Sequence, residues 1–109
     1  MTSFLDRQTI SDALAGTRWG PVQVVEATAS TNADLAAAAR VGAQEGSVLI
    51  TGWQQAGRGR FDRVWQTPPD TCVAMSVLLR PGRGLASWGW LSLLAGLAVL
   101  DGIEAASGL

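Results

Sequence analysis

Residues 22–53 read VQVVEATASTNADLAAAARVGAQEGSVLITGW, and this stretch decides the fold. Val22 to Ala27 is β-branched and follows Pro21, so it reads as a strand. The run Ala33 to Arg40 is rich in alanine, the strongest helix former. Thr31, with Asp34 three residues on, resembles a capping-box start, and Gly42 is a natural stop. Ser47 to Trp53 is again β-branched and apolar, hence a second strand. Strand, helix and strand in succession predict a sheet with a helix packed on it.

Upstream, Asp6 to Ala15 reads as a short helix ended by Gly16. Downstream, Gln54 to Asp70 is polar, rich in glycine and arginine, and closes on Pro68-Pro69-Asp70. It reads as a long loop, and loops of that length in compact domains are usually functional or disordered. Thr71 to Arg80 is a nearly continuous apolar strand, expected to be covered on both faces. Pro81 to Gly84 is a turn, and Leu85 to Ala106 a long apolar helix, expected in a core with Trp88 and Trp90 as packing residues. The fold class is therefore α/β or α+β, a sheet with helices packed on it. A helix apolar on so much of its surface needs neighbours on several sides, so the chain is expected to be part of a larger domain.

The 109 residues carry a net charge of −1 and 48% hydrophobic residues, which fits a folded domain and disfavours a general nucleic-acid or membrane-surface binder. There is no histidine, lysine or tyrosine. Within these residues that excludes a Ser-His-Asp or Cys-His nucleophile, a Walker-A lysine, a Schiff base and a His-ligated metal. The single thiol, Cys72, reads as a small core residue, and a reducing cytoplasm is the expected compartment. Residues 1–20 hold Asp6, Arg7, Asp12 and Arg18 and no apolar core of a secretory signal. The apolar run Trp88 to Leu100 falls short of the ~20 residues a membrane span needs.

All basic residues are arginines, and three cluster: Arg58, Arg60 and Arg63, against Asp62. One basic segment on a mildly acidic body suggests a local anion site. In Gly57-Arg58-Gly59-Arg60 the glycines permit close backbone approach, and guanidinium forks suit carboxylates and phosphates. Trp65 can stack on a planar ring. The residues alone leave a second reading open, a solvated basic loop over a tucked tryptophan. Ser30-Thr31-Asn32 likewise reads either as a helix cap or as a polar ligand contact at a strand-to-helix junction. The amides of Gln54 and Gln55 suit a ligand or loop backbone equally. Asp101 and Glu104 read as a solvated helix face.

Taken together, Ser30-Thr31-Asn32-Ala33-Asp34-Leu35 and the strand leading into WQQAGRGR, with Arg63 and Trp65 beyond, closely resemble the start of the biotin protein ligase catalytic domain. The resemblance implies a mixed sheet flanked by helices, an α/β fold similar to class II aminoacyl-tRNA synthetases. It implies that residues 1–109 are the N-terminal portion of that domain, without a winged-helix repressor domain and without the small C-terminal domain. The implied activity has two steps. The carboxylate of biotin attacks the α-phosphate of Mg-ATP, giving biotinyl-5′-AMP, and a lysine of a carboxylase's biotin carboxyl carrier protein then takes the biotinyl group. Biotin, ATP and magnesium enter as substrates, with no prosthetic group, resident metal, nucleic acid or membrane partner.

Carried over residue by residue, the resemblance assigns Ser30, Thr31, Asn32, Gln54, Gly57, Arg58, Gly59 and Arg60 to biotin. It assigns Arg60, Arg63 and Trp65 to the nucleotide, and catalysis to Arg58. Phe61-Asp62 departs from the family, which commonly has glycine where Asp62 stands. The family also places a catalytic lysine in a KWPND-like segment that these residues lack, so they are not expected to biotinylate efficiently by themselves. A lipoate or octanoate ligase relative, a non-enzymatic anion- or RNA-binding module and a degenerate gene remnant are the alternatives.

Overall fold

The computed structural model describes residues 5–55, 57–58, 64–65, 69, 73–80 and 89–108. The readings of Gly59, Arg60, Phe61, Asp62, Arg63, Cys72 and Trp88, and of the turn 81–84, lie outside the described residues. For Gly57, Arg58, Val64, Trp65 and Trp90 only the backbone is described. The chain divides into two units, residues 1–79 and 80–109.

The first unit opens with α1 (Arg7–Ala13). Asp6 caps it, its carboxylate accepting from Gln8 N at 3.2 Å and from the Thr9 hydroxyl at 2.6 Å. Strand β1 (Val22–Val25) leads to α2 (Thr31–Arg40) and β2 (Val48–Thr51). Two two-residue strands follow, β3 (Gly57–Arg58) and β4 (Val64–Trp65), and then β5 (Ala74–Val77). The main sheet runs β1-β2-β5. β1 and β2 are parallel, Val22 facing Val48, as a crossover through α2 requires. β2 and β5 are antiparallel, with Leu49 opposite Ser76 and Ile50 opposite Met75. The sheet is thus mixed and the fold a small α+β arrangement.

Period-two alternation assigns the faces. Val22, Val48 and Ile50 form a core packed by Leu5, Ile10, Leu14 and Trp19 from α1 and its flanks, and by Val24 of β1. Each such buried aliphatic side chain contributes about 1.5–3 kcal/mol. Leu49, Thr51 and Ser76 share the opposite face, where α2 packs on β2 and β5 and Leu35 is buried. β2 is buried along its whole length because it has a strand on each edge and a helix layer on each face.

Four expectations are corrected. The segment 54–70 is not all loop, since β3 and β4 pair antiparallel within it, Gly57 opposite Trp65 and Arg58 opposite Val64. The α2 cap is Ser30, whose Oγ accepts from Ala33 N at 3.1 Å. Asp34 does not complete a box with Thr31, because its carboxylate accepts from the Thr28 hydroxyl instead. β5 is not covered on both faces. Met75 is 57% exposed, whereas the polar Ser76 is buried, since α2 covers the Ser76 face and α1 packs on β1 at the far edge.

The second unit holds α3 (Gly89–Ser107). Leu93, Leu94, Leu97, Val99, Leu100 and Ile103 on it are exposed, against the expectation of a core helix. Among the described residues of this unit no second element covers it. Asp101 and Glu104 are exposed, as a solvated face requires. No helix among the described residues is long and apolar enough to cross a membrane.

Candidate functional site

The site is built where β1 and β2 end and α2 begins. Beyond β2 the chain is bent by Thr51, fully buried, whose Oγ1 accepts from Trp53 N at 3.2 Å. A parallel bridge then joins Thr28 to Gln54, with Thr28 N donating to Trp53 O at 3.1 Å and Gln55 N to Thr28 O at 2.8 Å. This pairing carries Gln54 alongside the first turn of α2.

The helix start supplies the other groups. Ser30 stands in extended backbone as the N-cap. Thr31 follows in the first turn and is only 3% exposed. Its backbone N–H, one of the four that a helix cannot satisfy internally, donates to Gln54 Oε1 at 2.9 Å. Its Oγ1 lies 3.3 Å from the same oxygen and 2.8 Å from Ser76 Oγ. Ser76 Oγ donates to Asn32 Oδ1. Asn32 is exposed and Gln54 half-buried, so the cluster reaches from the interior to the surface.

Thr31, Asn32 and Gln54 are therefore brought together, and Ser30 frames them as the cap. Of the two readings of Ser30 the structure shows the cap, its oxygen accepting from Ala33 N. Three residues past Gln54 the chain enters β3, which puts the backbone of Gly57 and Arg58 opposite that of Trp65 and Val64. Gly59, Arg60 and Arg63 lie outside the described residues. Sequence reasoning missed Ser76. The available signal was one hydroxyl inside the apolar run CVAMSVLL, where a buried polar group needs a partner.

With this geometry in hand, the class can be stated: residues 24–107 match the Biotin/lipoate A/B protein ligase family, and the chain belongs to it. Among curated proteins it is 47% identical, over 103 residues, to the biotin–[acetyl-CoA-carboxylase] ligase of Mycobacterium tuberculosis (strain ATCC 25618 / H37Rv), a match covering 91% of this chain and 39% of that protein. It is 41% identical over 86 residues to the bifunctional ligase/repressor BirA of Bacillus spizizenii, covering 79% of this chain and 26% of the relative. The BirA of Bacillus subtilis (strain 168) is 45% identical over 67 residues, 62% of this chain and 21% of the relative. The chain thus spans well under half the length of these relatives.

Proposed function

We propose that this chain carries the biotin- and adenylate-binding part of a biotin protein ligase, the N-terminal portion of a catalytic domain similar to class II aminoacyl-tRNA synthetases. The observation that carries the reading is the convergence of Thr31, Asn32 and Gln54 on one hydrogen-bonded cluster, with the Gly57–Arg58 strand beginning three residues after Gln54. Family membership and the 47% identical ligase support it.

In the first step a carboxylate oxygen of biotin attacks the α-phosphorus of Mg-ATP. The new C–O–P linkage forms as the bond to pyrophosphate breaks, leaving biotinyl-5′-AMP. A carboxylate is already a nucleophile near neutral pH, so the step needs no general base, in keeping with a chain that has no histidine. The obstacle is charge. Two unit charges ~4 Å apart repel by about 4 kcal/mol at an effective dielectric near 20, and a phosphate chain carries more than one. Arg58 and Arg60 offset that repulsion along the adenylate, and Arg58 stabilises the charge that develops at the transferring phosphoryl group. Arg63 serves the nucleotide phosphates and Trp65 encloses the adenine. Ser30, Thr31, Asn32 and Gln54 hold the polar bicyclic head of biotin, with Gly57 and Gly59 letting the backbone approach. In the second step a lysine amine of the carrier protein attacks the acyl carbon, AMP leaves and an amide forms. This chemistry belongs to the cytoplasm, where the carrier and ATP reside.

Isothermal titration of the 109-residue chain with biotin, and with a hydrolysis-resistant biotinyl-adenylate analogue, tests the reading. Saturable uptake that survives raised salt supports it. Uptake of neither compound, or RNA binding that falls steeply with salt, overturns it.

A further inference from the structure

The geometry points to Ser76 as a positioning residue of this site, one that turns the amide N–H group of Asn32 outward, next to that of Gln54 held by the Thr31 backbone N–H, to meet a hydrogen-bond-accepting group. The argument is a count of protons. A serine or threonine hydroxyl has one hydrogen to give. Ser76 gives its own to Asn32 Oδ1. The 2.8 Å contact between Ser76 and Thr31 therefore uses the hydrogen of Thr31. With that hydrogen committed, Gln54 Oε1 is held by the Thr31 backbone N–H at 2.9 Å. Both amide oxygens are thereby turned inward. Asn32 Nδ2 and Gln54 Nε2, which have no partner among the described residues, become the donors the site presents.

Burial makes the order firm. Ser76 is 7% exposed and Thr31 3%, so water cannot substitute freely for a lost link, and a buried hydroxyl without a partner is costly. Register explains why Ser76 does this: it lies opposite Leu49 on the α2 face of the sheet, while its neighbours Met75 and Val77 point the other way. An amide N–H donates to an acceptor oxygen, and a carbonyl oxygen with its two lone pairs can take one from each side chain. Its identification with the urea-type carbonyl of biotin rests on the function proposed above.

Proton–nitrogen correlation spectra of the 109-residue chain test the relay without ligand. Ser76→Ala removes one oxygen and leaves Thr31 an acceptor 3.3 Å away in Gln54, so the fold persists. The side-chain amide pair of Asn32 is expected to shift toward free-amide positions in Ser76→Ala. The pair of Gln54 is expected to move with it, while that of Gln8 on α1 stays. An unmoved Asn32 pair overturns the proposal. Biotin titration adds the second arm: Ser76→Ala weakens binding about tenfold, and the loss disappears in an Asn32→Ala background. Equal losses in both backgrounds overturn the relay. A wild-type chain that takes up no biotin sinks the ligase reading, whereas the amide spectra still decide the role of Ser76.

Discussion

The backbone N–H of Thr31 donates to the side-chain oxygen of Gln54, 23 residues further along the chain, at 2.9 Å. The first turn of α2 and the end of β2 are thereby locked together by one amide. A helix start usually meets its orphan donors with water or a local cap. Here one of them is closed by a residue whose own side-chain N–H groups have no partner among the described residues.

Gln54→Ala is expected to leave the N–H of the buried Thr31 without its partner. Stability should fall by about 1–2 kcal/mol, read as a lower urea midpoint. Biotin uptake should fall more steeply than stability, because a ligand donor is lost as well. Unchanged biotin affinity would place the ligand elsewhere.

Arg58→Ala tests the charge argument. The substitution should abolish most uptake of the adenylate analogue in calorimetry while leaving the circular-dichroism spectrum and the melting temperature near wild type. Retention of adenylate affinity within a factor of two would remove Arg58 from its assigned role.

Gly46 is a point where backbone geometry admits no side chain. Its φ is +93°, and a Cβ there would sit 2.3 Å from the carbonyl oxygen of Arg18. Its N–H donates to Leu78 O and its carbonyl accepts from Gly20 N, both at 2.8 Å, tying the end of β5 to the turn before β1. Gly46→Ala should therefore cost about 1–3 kcal/mol in chemical unfolding. An unaltered midpoint would show that this turn is not fixed.

Asp6 reports on α1. The Thr9 hydroxyl, and after it the Gln8 backbone N–H, hold its carboxyl below the ordinary 3.8. The contribution to helix stability is present above the ordinary value and is lost as pH falls through the lowered one. Carbon-13 titration of the Asp6 carboxyl should give a midpoint below 3.8, and Thr9→Val should raise it. A midpoint at or above the ordinary value in the wild-type chain would remove the cap.

Much of the fold was legible because its signals are local. The alanine run from Ala33 to Ala39 is α2, and the β-branched segments around Val24 and Ile50 are β1 and β2. The errors have local causes too. Thr31 and Ser30 are both good caps by composition, and only the backbone shows that Ser30 takes the position while Thr31 turns inward. The β3–β4 ribbon was hidden because two-residue strands leave no periodic pattern.

Residue types and their spacing, by themselves, determined the order of the helices and the three strands of the main sheet, the clustering of arginines on one glycine-rich segment and the resemblance to a ligase family. Those properties act over a few neighbours and survive in any chain with these letters. Only the tertiary structure decided that Ser76 meets Asn32 across 44 residues, that Gln54 closes the start of α2 and that Met75 lies open to solvent. Such contacts depend on which strand edge the crossover reaches and on the register of β5 against β2. A shift of one residue would have turned Met75 toward α2 and Ser76 away from it.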